Sequence, residues 1–215
     1  TLPNIPEDAA RDKHAGRDDF PCYAAGVSYF RSDLSRNSPG GVHLPEYIRG
    51  AFDWPGQNAG FLGARYDPLQ LRNDRSDFDY SQPGFRRCDG ITVSRIQNRR
   101  QLLQEFNRQR GQLEHEMSAG SFSKHQERAF AMLDSPRLAR AFDLEEESES
   151  LREAYGKHYF GQSLLLARRL VEAQIPVIQA NLRGWDTHVN GFATLKDSLL
   201  PKFDQALSTF LDDMA

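Results

Sequence analysis

The stretch from Gly161 to Leu211 constrains the fold most, because it reads as helix, strand, loop and helix in immediate succession. In Gly161 to Ala173, Leu164, Leu165, Leu166 and Leu170 fall on one helical face, with Arg168, Arg169 and Glu172 expected in water. Ile175-Pro176 closes that helix, and Val177 to Leu182 follows as a short apolar strand. Beyond the Trp185-Asp186-Thr187-His188 loop, Leu195, Leu199, Phe203, Leu207, Phe210 and Leu211 recur at helical spacing, with a kink expected at Pro201. Such a unit belongs to a layered α/β sheet, in which ligands and metals gather beyond the carboxyl ends of the strands. The chain starts at Thr1 and stops at Ala215 within an amphipathic helix. It is therefore expected to be a fragment truncated at both ends, with partner strands mostly outside it or within its first 90 residues.

The rest of the chain divides by texture. Residues 1–90 hold 8 of the 11 prolines and 10 of the 16 glycines, which marks them as a loop-rich part of the α/β domain. Ala24 to Phe30 is a strand candidate there. Val42 to Ile48 is another, which Pro45 restricts to a sheet edge if it forms at all. Residues 91–158 read as a helical subdomain. Ser94 with Gln97 and Ser123 with Gln126 resemble capping boxes, Ser135-Pro136 opens a helix with proline at its first position, and Glu145 to Glu149 lies at the start of a short helix that Gly156 ends. Residues 159–215 are the helix-strand-loop-helix unit. A formal net charge of −3, from 27 Lys and Arg against 30 Asp and Glu, argues against nucleic acid or an anionic membrane as partner. No apolar run is long enough to span a bilayer. Cys22 and Cys88 lack metal-type spacing and fit a reduced pair as well as a disulfide.

Chemistry concentrates around the strand end. Asp186 and His188 offer a carboxylate oxygen and an imidazole nitrogen to one divalent ion, and a catalytic zinc needs a third protein ligand from elsewhere. The other reading of the same pair has Asp186 capping the next helix or turn and His188 bonded to a backbone carbonyl. Trp185 is either a substrate-pocket wall or packing. Asn181 and Arg183 flank the strand end, where Arg183 suits a phosphate or sulfate, or is a solvated loop residue. Gln162, in the first turn of a helix opening at Gly161, brings backbone N–H groups to the same rim and is a further candidate for an anionic substrate, or a plain helix start. Tyr155 and His158 lie just upstream. His14, His43, His115 and His125 are scattered, and no role attaches to them. Gly60-Phe61-Leu62-Gly63 lacks the spacing of a dinucleotide fingerprint.

Several segments in order, PGQNAGFLGARYDP from Pro55, RAFDLEEESESLREAY from Arg140, GKHYFGQSLLLARRLVEA from Gly156, Trp185 to His188 and LLPKFD from Leu199, resemble the bacterial family catalogued as domain of unknown function 1501. The resemblance implies a relative of the alkaline phosphatase and sulfatase superfamily. The implied fold is a partial three-layer α/β/α sandwich with a helical subdomain. It further implies a metal-dependent hydrolase of phosphate or sulfate esters, using zinc, manganese, iron or calcium held in part by Asp186 and His188. The spacing of that pair is shorter than the phosphatase pattern. The substrate would be a small-molecule or glycan ester, contacted by Arg183, Gln162 and Trp185, and the location periplasmic or exported. The family's Gly-Gly-Pro-Ser-His and Gly-Glu-Phe-Gly-Arg-Thr-Pro stretches do not occur in this sequence. A non-catalytic envelope protein that binds glycan or protein through its loop-rich wall is the alternative, motivated by Tyr47, Trp54 and Tyr66.

Overall fold

Among the described residues, three parallel strands and the helices stacked on them make up a mixed α/β structure. The computed structural model describes residues 16–31, 38–45, 48, 54–71, 94, 95, 97–99, 101–103, 105 and 135–215. The helix expected to start at Ser94 is helical at its described positions between 94 and 105, while the capping box at Ser123, His14, His115, His125, Tyr47 and Cys88 lie outside the described residues.

The first helix among the described residues, α1 (Tyr23–Phe30), occupies a segment expected to be a strand. The correction has a steric cause. Ala24, Ala25 and Ser28 share one side of a helix and are all buried, and these small residues let the helix press on the backbone before the first strand. A Cβ on Gly41 would stand 2.4 Å from the Ala24 Cβ, and one on Gly40 would stand 2.3 Å from the Ser28 hydroxyl.

Strand β1 (Val42–Leu44) is central, not an edge, and lies between β2 (Leu69–Gln70) and β3 (Ile178–Ala180). Pro45 does not demote it because the pairing ends one residue earlier, at a cis Leu44-Pro45 peptide, so the missing N–H falls beyond the ladder. Val42 pairs with Leu69 and Ile178, and His43 with Gln70 and Gln179. The alternation of side chains turns Val42, Leu44, Ile178 and Ala180 toward one core. His43, Gln70, Gln179 and Asn181 fall on the opposite face.

Helices α2 (Pro136–Ala141), α3 (Glu149–Ala154), α4 (Tyr159–Glu172) and α6 (Leu200–Met214) pack on the apolar side. Ser135 caps α2 through the Leu138 N–H with Pro136 at the first helical position, and Ser148 caps α3 through the Leu151 N–H. Gly156, at φ +93°, ends α3 as expected. Between β3 and α6 run the short α5 (Gly191–Thr194) and a π-helical turn, Leu195–Leu199. Pro201 lacks an N–H for regular helical pairing, and the wider π-helical turn lies immediately before it.

Arg168 and Arg169 were expected in water and are instead almost enclosed. Arg169 is 8% exposed; it pairs with Glu146 and Glu147 and donates to the carbonyls of Arg140 and Ala141. Arg168 joins Glu147, Glu172 and Asp213. The acidic run therefore supplies counter-charges that let two guanidinium groups lie beneath α2, α3 and α6.

Candidate functional site

Strand order β2-β1-β3 places β1 between both of its successors, and in open α/β sheets ligands gather beyond the carboxyl ends of strands at such a point. The Asn181 N–H donates to the Leu44 carbonyl at 2.8 Å where β1 and β3 end. From there the chain runs through Leu182 and Arg183 to a turn at Gly184, whose φ of +98° suits glycine. The Arg183 N–H donates to the Tyr159 hydroxyl at 3.0 Å, which fastens the start of the loop to the first turn of α4. The amino end of α4 and the carboxyl end of β3 thus share one rim.

Beyond Gly184 the loop turns outward. The Trp185 ring meets Phe203 of α6 edge-on with centroids 5.9 Å apart, and Phe203 in turn stacks on Phe160 of α4. Trp185 is both packing and surface, since it remains 43% exposed. Asp186 and His188 stand beside each other, with Oδ2 and Nε2 separated by 3.1 Å and both side chains more than four-fifths exposed. Asp186 does not cap the following helix, because α5 starts at Gly191 after Asn190 in the left-handed region without a side-chain cap. Two ligands at about 2.1 Å from one ion lie roughly 3.0–3.4 Å apart for angles from a right angle to the tetrahedral one. The Asp186–His188 separation fits that bite. Among the described residues no third histidine, cysteine or carboxylate joins them.

Gln162 takes a different place from the one expected. Helix α4 starts two residues before Gly161, at Tyr159, and His158 is its N-cap. The Gln162 side chain is buried and its amide donates to the carbonyls of Arg152 and Gly156, both at 2.9 Å. It locks α3 to α4 and faces away from solvent. Tyr155 is likewise enclosed and donates to Asp213 at 2.8 Å; its hydroxyl is held protonated well above the usual range by burial and by that carboxylate.

A model of the family described as "Protein of unknown function (DUF1501)" matches residues 7–215. The chain belongs to the DUF1501 family. No curated protein and no solved structure matches it.

In this DUF1501 chain the strand end brings Asn181, Arg183, Trp185, Asp186 and His188 onto one loop. Behind it lies a polar row to which the sequence motifs attach no role. His43 is 1% exposed in the central strand, and burial lowers its pKa to about 4, so the ring is neutral at neutral pH. Gln179 donates to Asn181 at 3.0 Å on the same face. The alternation in Ile178-Gln179-Ala180-Asn181, matched by a histidine between Val42 and Leu44, is the signal that marks this row. Tyr159 carries no such signal, since its role depends on where α4 begins. Among the described residues no helix is long and apolar enough to cross a membrane.

Proposed function

We propose that this DUF1501 chain is part of a metal-dependent hydrolase of phosphate or sulfate esters, built on an alkaline phosphatase-like α/β/α sandwich and working in the periplasm or outside the cell. The observation that carries this reading is the pairing of Asp186 with His188 at 3.1 Å, beyond the carboxyl end of a parallel strand. Asp186 Oδ2 and His188 Nε2 would hold one divalent ion, zinc, manganese, iron or calcium, with further ligands from outside the described residues. When bound, such an ion polarises an ester oxygen and lowers the pKa of a nucleophile. The chain's own part is positional. Tyr159 fixes the Arg183 backbone, Gly184 turns the loop, and Trp185 pins its middle against Phe203. Arg183, half-buried at the base of the loop, would orient the anionic ester through a bidentate contact, and the exposed part of Trp185 would flank its organic portion. Gln162 acts beneath this site as a brace for α4.

Screening the complete gene product against aryl phosphate and aryl sulfate esters tests the reading. Divalent-metal-dependent turnover that Asp186→Ala and His188→Ala each reduce by about 100-fold or more is the expected result. Unchanged turnover in both variants would overturn it.

A second reading, a non-catalytic envelope protein that binds glycan or protein, rests on an exposed aromatic group distant in sequence from the loop. Phe20, Tyr23, Phe30 and Phe61 are all largely exposed, with the Phe20 and Phe61 rings in edge contact at 5.9 Å. Glycan or partner binding that Tyr23→Ser with Phe61→Ser abolishes, in a protein without ester hydrolysis, would favour it over the first.

A further inference from the structure

We propose that His158 is a pH-sensitive cap on α4 whose protonation loosens the Arg183–His188 loop through Tyr159. The His158 Nδ1 accepts the Gly161 N–H at 3.1 Å, so that nitrogen must present a lone pair and the ring proton resides on Nε2. Imidazolium carries N–H at both nitrogens. Protonation therefore sets donor against donor at the cap, and it places a positive charge at the amino end of a 14-residue helix, where the macrodipole already opposes it.

The surroundings give the ring little room to escape. Gly156 lies against it, close enough that a Cβ there would come within 2.5 Å of Nε2. A Cβ on Gly161 would come within 2.0 Å of the Tyr155 carbonyl, so the turn is closed from below as well. Nε2 itself is buried without a hydrogen-bond partner among the described residues. Lys202 of α6 adds positive potential, while Gln205 of α6 is neutral and the nearest carboxylates of α3, Glu149 and Glu153, are taken up by Lys157. Burial first, and Lys202 second, hold the His158 pKa below its ordinary value of 6.5.

The sign follows directly. The folded state binds the proton less readily than the unfolded chain, so the cap is intact above about pH 6.5 and is lost as pH falls through the folded value. The next residue carries the consequence to the loop. Tyr159 starts α4, and its hydroxyl accepts the Arg183 N–H at 3.0 Å. A first turn that opens on protonation moves this acceptor, and with it the anchor of the loop that bears Trp185, Asp186 and His188. The device depends on this geometry and is independent of whether the loop binds metal.

Amide hydrogen exchange resolved by residue, corrected for intrinsic rates and recorded between about pH 8 and pH 5, tests it; His188→Gln serves as background so that the loop's own imidazole is silent. Protection of Gly161 and Arg183 should fall together below about pH 6.5, by up to tenfold per pH unit, and level off below the midpoint of the His158 ring signal. His158→Asn, an uncharged cap, should hold both amides flat. Tyr159→Phe should lower Arg183 protection at every pH and leave the Gly161 profile intact. Gly161 protection without an inflection would overturn the cap, and Arg183 protection that stays level while Gly161 falls would overturn the coupling.

Discussion

At the scale of single residues, glycines decide how closely α3 and α4 approach. The Gly161 Cα faces the Tyr155 and Gly156 carbonyls, and a methyl group there would meet them at 2.0 and 2.6 Å, too close for any rotamer to relieve because the obstacles are backbone. Gly161→Ala is expected to destabilise the protein by about 1–3 kcal/mol or more, the usual cost of overpacking. A chemical-denaturation midpoint equal to wild type would contradict that. His43 shows the opposite logic, in which the environment adapts the group. Its ring stays neutral because the sheet excludes water, and its pKa of about 4 lies below the ordinary 6.5. The folded state therefore binds fewer protons than the unfolded chain in this interval. The stability it contributes is present above about pH 6.5 and is lost as pH falls toward 4. His43→Gln should flatten that part of the stability profile measured by denaturation from pH 7 to 4, additively with His158→Asn, because the two sites lie on separate elements. An unchanged slope would show that His43 is not enclosed as described.

At the scale of elements, the buried guanidinium groups of α4 tie together segments far apart in sequence. Arg169 is held by two carboxylates and two carbonyls; Glu147 keeps Arg168, but Arg169→Ala leaves the Arg140 and Ala141 carbonyls without this donor and should cost about 1–3 kcal/mol in denaturant unfolding. A loss below about 1 kcal/mol would place the pair at a solvated surface. This network also shows what sequence can and cannot convey. Leu165, Leu166 and Leu170 announce their burial through helical spacing, and β3 announces itself through length and flanking Pro176. Arg168 and Arg169 look wet by the same rule, because the rule does not see Glu146 and Glu147 arriving from another element. Segment Ala24 to Phe30 misleads for a related reason: a stripe of small residues reads weakly as a helix until Gly40 and Gly41 supply the surface it fits. The Asp186–His188 pair was legible as spacing, whereas Gln162 was misplaced because the true cap, His158, shifts the helix start by two residues. Tyr159 became visible as the loop's anchor only with that start in place.

For the molecule as a whole, the parallel sheet, the helices on its apolar face and the polar row on its other face converge on one rim. Helices α4 and α6 run alongside each other, joined by Phe160 on Phe203 near that rim and by Arg168 with Asp213 farther along. The loop between β3 and α5 is therefore mounted on a braced scaffold while its tip stays open to solvent. That combination suits a site assembled from several segments, of which this loop is one. The DUF1501 family gives the chain its relatives, and Asp186 with His188 gives it a chemical hypothesis. Metal content by elemental mass spectrometry tests that hypothesis most directly, comparing the complete, purified gene product with its Asp186→Ala, His188→Ala double variant. Near-stoichiometric zinc, manganese, iron or calcium in the wild type, lost in the variant, is the expected result. A folded wild type without bound metal, or a variant that keeps it, would contradict the proposed centre.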